Sequence, residues 1–260
     1  MTAEPAQQSA DAEIAPVAAL LADRARAAML VAMLDGRPLA AGELARQAGV
    51  SPATASAHLA RLLAGGLVTV VRQGRHRYYR LAGREVAAAI ESLSCLGPAV
   101  PVRSLRQSRQ AVALAQARTC YDHLAGRAGV ALLDALLARE LLTPAGPSGG
   151  ARGPADGMEL PGYDLTEAGA ACLSGFGVDV AALRRQRRRF AAACLDWTQR
   201  RPHLNGALGA AVTTRLLELG WLERGRRRRA ILVTPAGREG LAATFGWCLP
   251  DSPAPESPGA

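Results

Sequence analysis

The sequence predicts a mainly α protein with small β-wings. An N-terminal winged helix-turn-helix is followed by a C-terminal domain of two degenerate helix–β-hairpin–helix (winged-helix-like) repeats. Three observations carry this expectation. Glu43–Arg80 reads as a helix, a tight turn, a second helix and two strand-like runs. The second half carries the same short phrases twice. Hydrophobic residues make up 49% of the 260 and aromatic residues only 4%, so the core must be rich in Ala, Leu and Val, which favours helices.

Residues 1–13 are polar and Ala-rich and 250–260 are Pro/Ser-rich, so both are expected to be disordered tails. A helix over about Ala41–Ala48 buries Leu44 and Ala48, and Gly49 ends it with a left-handed turn residue. Ser51-Pro52 then supplies an N-cap and a proline at the first helical position. The second helix turns Ala55, Leu59 and Leu62/Leu63 inward and Thr54, Ser56, His58 and Arg61 outward. After Gly65-Gly66, the runs Leu67–Gln73 and Arg77–Leu81, joined at Gly74, form the wing. Such an order puts short polar side chains and a basic loop where a DNA duplex would lie. Thr54, Ser56 and His58 are expected near bases with Arg61 on the same face, and Ser51 near a phosphate. Arg72, Gln73, Arg75 and Arg77 would follow the backbone or minor groove. The plainer alternative is a helical hairpin beside a β-hairpin with no such partner.

The phrase S-P-A-T-A-S-A-H-L-A-R-L-L-A-G-G-L-V, from Ser51 to Val68, resembles the recognition helix and wing entry of ArsR-type (arsenic-repressor-like) regulators. Leu20–Leu34, with its Leu21-x-Asp23-x-x-Arg26, resembles their opening helix. The resemblance covers residues 14–97. It implies a homodimer, with the first helix and the one after the wing (about Gly83–Cys95) packed across a two-fold axis. It also implies repression relieved by a small effector, often a metal ion. Two familiar metal sites of the family are absent from this sequence. Glu43-Leu44-Ala45-Arg46-Gln47 stands where a Cys-x-Cys phrase is often found. Arg84-Glu85-Val86-Ala87-Ala88-Ala89-Ile90-Glu91 stands where other members carry Asp/His pairs. An effector is therefore expected in the C-terminal domain.

The net charge of +9 and sequence pI near 10.3, with arginine and no lysine supplying the positive charge, favour a polyanionic partner. No signal peptide is evident, and no apolar run approaches the roughly 18 residues of a membrane span. The cysteines (95, 120, 172, 194 and 248) are odd in number and scattered, which argues against a secreted disulfide framework. A bacterial cytoplasm, a double-stranded DNA operator and no membrane contact are expected. With no phosphate loop, dinucleotide fingerprint or nucleophile elbow, an enzyme is not expected.

Gly97-Pro98 with Pro101 marks a boundary, so 98–249 forms the second domain. A long helix is expected from about Ser104 to Leu124, and a Gly/Pro-rich loop over Thr143–Gly162. The repeats span about 118–177 and 194–246. His123-Leu124-x-Gly126-x-x-Gly129 matches His203-Leu204-x-Gly206-x-x-Gly209, and Leu165-Thr166-x-Ala168-Gly169 matches Val233-Thr234-x-Ala236-Gly237. Upstream of each histidine lies Cys-x-Asp, which gives two matching sets: Cys120, Asp122, His123 and Cys194, Asp196, His203. On a helix, Cys120 and His123 would share a face, chelating geometry for a metal such as zinc, nickel or copper. His203 lies beyond Arg200-Arg201-Pro202 from Cys194 and needs a bend to join it. The aspartates would point away from the cysteines round a regular helix.

Structural roles remain open for all six residues. Phe190, Cys194 and Trp197 fit a buried helical stripe, and the aspartates could cap a turn or pair with Arg118 or Arg200. An organic effector, or no cofactor, also fits. Arg184, Arg185, Arg187, Arg188 and Arg189, on a helix capped by Asp179, and Arg226–Arg229, at a hairpin tip, are either solvated surface or extra phosphate contacts. The expected function is a sequence-specific transcriptional regulator, a homodimeric repressor released by an effector in the C-terminal domain. The alternative is a ligand-independent DNA-organising protein whose C-terminal domain serves dimerisation or extra DNA contact.

Overall fold

The computed structural model describes residues 13–74, 76–98, 104–145, 162–226 and 228–249. The expected tails (but for residue 13), Arg75 in the wing, Pro101, most of the Gly/Pro loop and Arg227 lie outside the described residues. The chain divides into two compact units between Ala87 and Ala88, upstream of the boundary expected at Gly97-Pro98. A helix runs through the division, so no linker marks it in the sequence.

In the first unit, α1 (Ala15–Leu21) and α2 (Arg24–Ala32) stand where one opening helix was expected. The break falls at Asp23, whose extended backbone and carboxylate cap α2 by accepting from the Arg26 amide at 2.9 Å. Arg26 Nε and Nη2 donate to the carbonyls of Leu20 and Ala19 at 2.7 and 2.8 Å, satisfying the end of α1. After β1 (Leu39–Ala40), α3 (Ala41–Ala48) buries Leu44 and Ala45, with Ala48 only half-buried. Gly49 closes α3 at φ 67°. In α4 (Pro52–Ala64), the Ser51 hydroxyl accepts from the Thr54 amide at 3.1 Å, and Ala55, Leu59 and Leu62 face the core while Leu63 stays exposed. Each such buried leucine contributes about 1.5–3 kcal/mol. β2 (Val68–Gln73) and β3 (His76–Leu81) form the wing, Gln73 opposite His76, and β1 completes a sheet of order β1-β3-β2. α5 (Arg84–Leu96) follows, close to the helix expected there.

In the second unit, the helix expected to reach Leu124 ends at Gln116 as α6 (Leu105–Gln116). Ala117 turns extended, and β4 (Arg118–Cys120) and β5 (His123–Ala125) form a hairpin. Tertiary pairing overrides helical pattern here. Thr119 donates to the Arg229 carbonyl at 2.8 Å, and the Arg118 side chain is fully buried on charged partners. α7 (Gly126–Ala138), β6 (Leu142–Pro144), β7 (Tyr163–Leu165), α8 (Glu167–Gly175) and α9 (Val180–Arg184) follow. The helical stripe expected through Phe190, Cys194 and Trp197 is instead a strand, β8 (Ala192–Leu195), paired with β9 (Pro202–Asn205). α10 (Gly206–Glu218), β10 (Leu222–Arg224), β11 (Ile231–Val233) and α11 (Pro235–Phe245) complete the unit.

The matched Thr-x-x-Gly phrases are N-caps: Thr166 and Thr234 hydroxyls accept from the Gly169 and Gly237 amides, each at 2.9 Å. One core, built on Leu132, Leu133, Leu136, Leu208, Val212 and Leu216, is closed by Phe245 and Trp247. Arg118, at the start of β4, bridges to Ala230 beside β11, and Ala192, at the start of β8, bridges to Gly162 beside β7. Each leading hairpin therefore leans on the later hairpin of the other half, so neither half completes its pairing alone.

Candidate functional site

On α4 and the wing, Ser51, Thr54, Ser56, Arg61, Arg72, Gln73 and Arg77 are exposed. The Ser51 and Thr54 hydroxyls bond each other at 2.9 Å, and Ser56 Oγ donates to the Pro52 carbonyl at 2.9 Å. His58 differs from expectation. It is half-buried, with Nε2 3.9 Å from the Asp23 carboxylate, because its position on α4 turns it toward the cap of α2 rather than fully outward. Arg75 lies outside the described residues.

The second site is in the other unit. Cys120 pairs across β4–β5 with His123, and Cys194 pairs across β8–β9 with His203. The helical placement expected for Cys120 and His123 is thus replaced by a cross-strand one. The bend needed for His203 is the hairpin turn itself. Directly opposed strand residues bring their side chains within contact on one face. One ligand atom from each of Cys120, His123, Cys194 and His203 lies within 4.8 Å of the others, and the two sulfurs are 3.8 Å apart. The imidazoles stack at 5.0 Å between centroids, 24° apart in plane. His203 is fully buried, and His123 and Cys120 are each 3% exposed.

Two close approaches make this possible. A Cβ on Gly129 would lie 2.4 Å from the Leu124 carbonyl and 3.6 Å from His203 Cβ. One on Gly209 would lie 2.4 Å from the Leu204 carbonyl and 3.5 Å from His123 Cβ. Only glycine lets each helix approach its own hairpin and the histidine of the other half so closely.

The aspartates stand behind the cluster. Asp122 accepts at 3.2 Å from His123 Nδ1 and at 2.7 Å from Arg188. Asp196 Oδ2 accepts from the Gly126 amide at 2.6 Å and lies 2.9 Å from Arg118 Nη1 and 3.9 Å from His203 Nδ1. Its Oδ1 accepts from the Thr198 hydroxyl and amide and the Gln199 amide, so it both caps the turn and pairs with Arg118. Burial pushes the Asp196 carboxyl up, but Arg118, Thr198 and the Gly126 amide outweigh it and hold it at about 2. Burial opposes ionisation of Asp122 too, and the His123 and Arg188 hydrogen bonds still lower it. The Cys120 thiol is pushed well up by its contact with Cys194 and by burial. Burial drives His203 well below the usual imidazole range, with the charge of His123 adding to it. His123 rises to about 9, because the Cys120 sulfur and Asp122 outweigh its burial.

The arginine clusters divide. α9 stops at Arg184, so Arg185–Arg189 follow the helix instead of lying on it; Asp179 does cap it, accepting from the Ala182 amide at 2.8 Å. Arg188 is committed to Asp122, while Arg184, Arg185, Arg187 and Arg189 are exposed. Arg229 is buried: it pairs with Glu91 and donates to the Thr119 carbonyl at 3.1 Å, so it is withdrawn from any phosphate. Glu91, on α5, also lies 3.9 Å from Arg118. The role of Glu91 went unread in the sequence. A lone acidic residue at a buried helical position was the available signal.

A short polar helix face above a packed apolar one, beside a basic wing, defines a DNA-binding protein of the transcription-regulator class. A helix-turn-helix domain family model matches residues 21–71. The Bacillus subtilis (strain 168) protein YdfF, described as an uncharacterized HTH-type transcriptional regulator, is 40% identical over 86% of this chain and 93% of its own length. The chain belongs to the helix-turn-helix-type transcriptional regulators. Among solved structures, the homodimeric winged helix-turn-helix domain of Mb0332 from Mycobacterium bovis, a possible ArsR-family regulator, is 35% identical. It covers 32% of this chain and 76% of that one, with a TM-score of 0.30. The cadmium sensor CMTR of Mycobacterium tuberculosis is 34% identical over 34% of this chain and 99% of its own, with a TM-score of 0.28. Among the described residues, no helix is long and apolar enough to cross a membrane.

Proposed function

We propose that this protein is a cytoplasmic, homodimeric repressor that holds a DNA operator through α4 and the wing. It is released when an effector occupies the Cys120, His123, Cys194 and His203 cluster, with Asp122 and Asp196 supporting it. The observation that carries the reading is the exposed row of Ser51, Thr54, Ser56 and Arg61 over buried Ala55, Leu59 and Leu62. Thr54 and Ser56 read base edges. Ser51 meets a phosphate at the helix N-terminus, and Arg72, Gln73, Arg75 and Arg77 track the backbone. His58 acts at the margin of this face, held by Asp23. Dimerisation uses the first helix and α5, in keeping with exposed Val17, Leu93 and Leu96. The C-terminal unit is a degenerate repeat without catalytic function. The reading is supported by the twice-occurring order of hairpin, helix, hairpin, helix and by the shared Cys–His register.

The test is fluorescence anisotropy on DNA from the protein's own upstream region and on unrelated duplexes, across salt concentration. Specific binding is expected. Thr54→Ala should relax sequence preference, whereas Arg72→Ala should weaken all sequences and reduce the salt slope by about 1. Uniform affinity for every duplex would instead favour the DNA-organising alternative, to which exposed Arg184, Arg185, Arg187 and Arg189 would lend extra backbone contacts.

A further inference from the structure

We infer that Cys120, His123, Cys194 and His203 form a closed, four-coordinate site for one thiophilic divalent ion of the zinc class per chain. The inference deepens the effector reading, on which it rests only for its consequence at DNA.

Geometry is the first argument. Tetrahedral coordination with metal–sulfur bonds of about 2.3 Å sets adjacent sulfurs about 3.8 Å apart. The Cys120 and Cys194 sulfurs are 3.8 Å apart, and all four ligand atoms fall within 4.8 Å. A disulfide would need the sulfurs at about 2.05 Å.

Unmet valence is the second. His123 Nε2 and both nitrogens of His203 are buried without a hydrogen-bond partner among the described residues. One ion taking one nitrogen from each ring would satisfy two of these three, His123 Nε2 and one nitrogen of His203. Buried polar groups in protein interiors are as a rule paired. The third is support from outside the ligand set. His123 Nδ1 is engaged by Asp122, itself held by Arg188, which orients the ring to offer Nε2; carboxylate–histidine pairs of this kind are the usual outer partners of metal-bound imidazole.

Two sulfurs and two imidazoles select zinc-like ions over calcium or magnesium, which take oxygen ligands. Four protein ligands leave no open position, so the ion would cross-link the two leading hairpins and activate no water.

The reduced, chelator-stripped full-length protein is titrated with cobalt(II) as a spectroscopic probe, then with zinc(II). One equivalent per chain should give the intense visible bands of tetrahedral cobalt and a thiolate charge-transfer band, both erased by zinc. Cys120→Ser and Cys194→Ser should each lose the charge-transfer intensity, and affinity should fall by more than the about 10–100-fold typical of removing an outer partner. The triple variant Cys95→Ser/Cys172→Ser/Cys248→Ser should keep the full spectrum. X-ray absorption of the zinc-loaded wild type needs no variant to fold, and should show two sulfurs at about 2.3 Å and two nitrogens at about 2.0 Å. No stoichiometric binding, an octahedral spectrum, or an oxygen-dominated shell overturns the inference. Tetrahedral binding that leaves operator affinity unchanged upholds the site and removes the effector reading. Operator release by another small molecule, with no metal bound, does the reverse.

Discussion

Cys120 faces His123 across a hairpin closed by Tyr121 and Asp122, whereas Cys194 faces His203 across one closed by the longer turn from Asp196 to Arg201. The side-chain geometry at the cluster is nonetheless matched, because antiparallel register and not loop length decides which residues oppose each other. Freed from that task, the turns have diverged. The short one keeps its carboxylate local: Asp122 steadies its neighbour His123 and takes Arg188 from a surface segment. The long one sends its carboxylate across to the other half, where Asp196 holds Arg118 and the amide that opens α7. One aspartate orients a ring; the other joins the halves.

Deleting the cross-half partner should separate these roles most clearly. Arg118→Ala leaves Asp196 buried without its arginine, while Glu91 keeps Arg229, and should cost about 3–5 kcal/mol in urea unfolding. A loss below 1 kcal/mol would mean the Asp196 network is not what joins the halves. Next in size, Gly129→Ala and Gly209→Ala each drive a Cβ to 2.4 Å from a backbone carbonyl. Each should cost about 1–3 kcal/mol, and nearly the same amount, since the close approach is the feature the halves share. Unequal costs would break the equivalence.

Acid should distinguish the aspartates. Asp196 titrates at about 2 in the folded chain against an ordinary 3.8, so the unfolded chain binds more protons between those values. Its stabilisation is complete above the ordinary value and disappears as pH falls through that window. Asp196→Asn should flatten the acid limb of a melting-temperature profile more than Asp122→Asn does. The smallest effect is expected for Arg188→Ala, whose pair with the one-third-exposed Asp122 should contribute less than about 1 kcal/mol to thermal stability.

The sequence was most legible where local rules and tertiary demands agree. Ser51-Pro52, Gly49 and the Ala55/Leu59/Leu62 stripe each specify backbone or burial within a few residues, and α3, α4 and the wing stand where they were expected. The His-Leu-x-Gly-x-x-Gly phrase also held real information. Its histidine enters the cluster, its leucine the core, and its second glycine permits the close approach. What misled was helical pattern. Residues 117–124 and 190–197 are short and free of glycine and proline, and strands of three or four residues are too brief to display a two-residue period. The opening helix failed for a different reason: Asp23 and Arg26 are acceptable inside a helix, and only their bonds to each other and to α1 show that they end it.

By itself, then, the sequence determined the DNA-binding unit and the identity of the Cys, His and Asp sets, because caps, turns and heptad-scale stripes are written in adjacent residues. Tertiary structure alone decided that Cys120 and Cys194, distant in the chain, would meet, that the aspartates would stand behind the histidines, and that Arg118, Arg229 and Glu91 would share one buried network. Those contacts depend on strand register and on buried charges finding partners across the halves, and neither can be evaluated until the chain has closed around them.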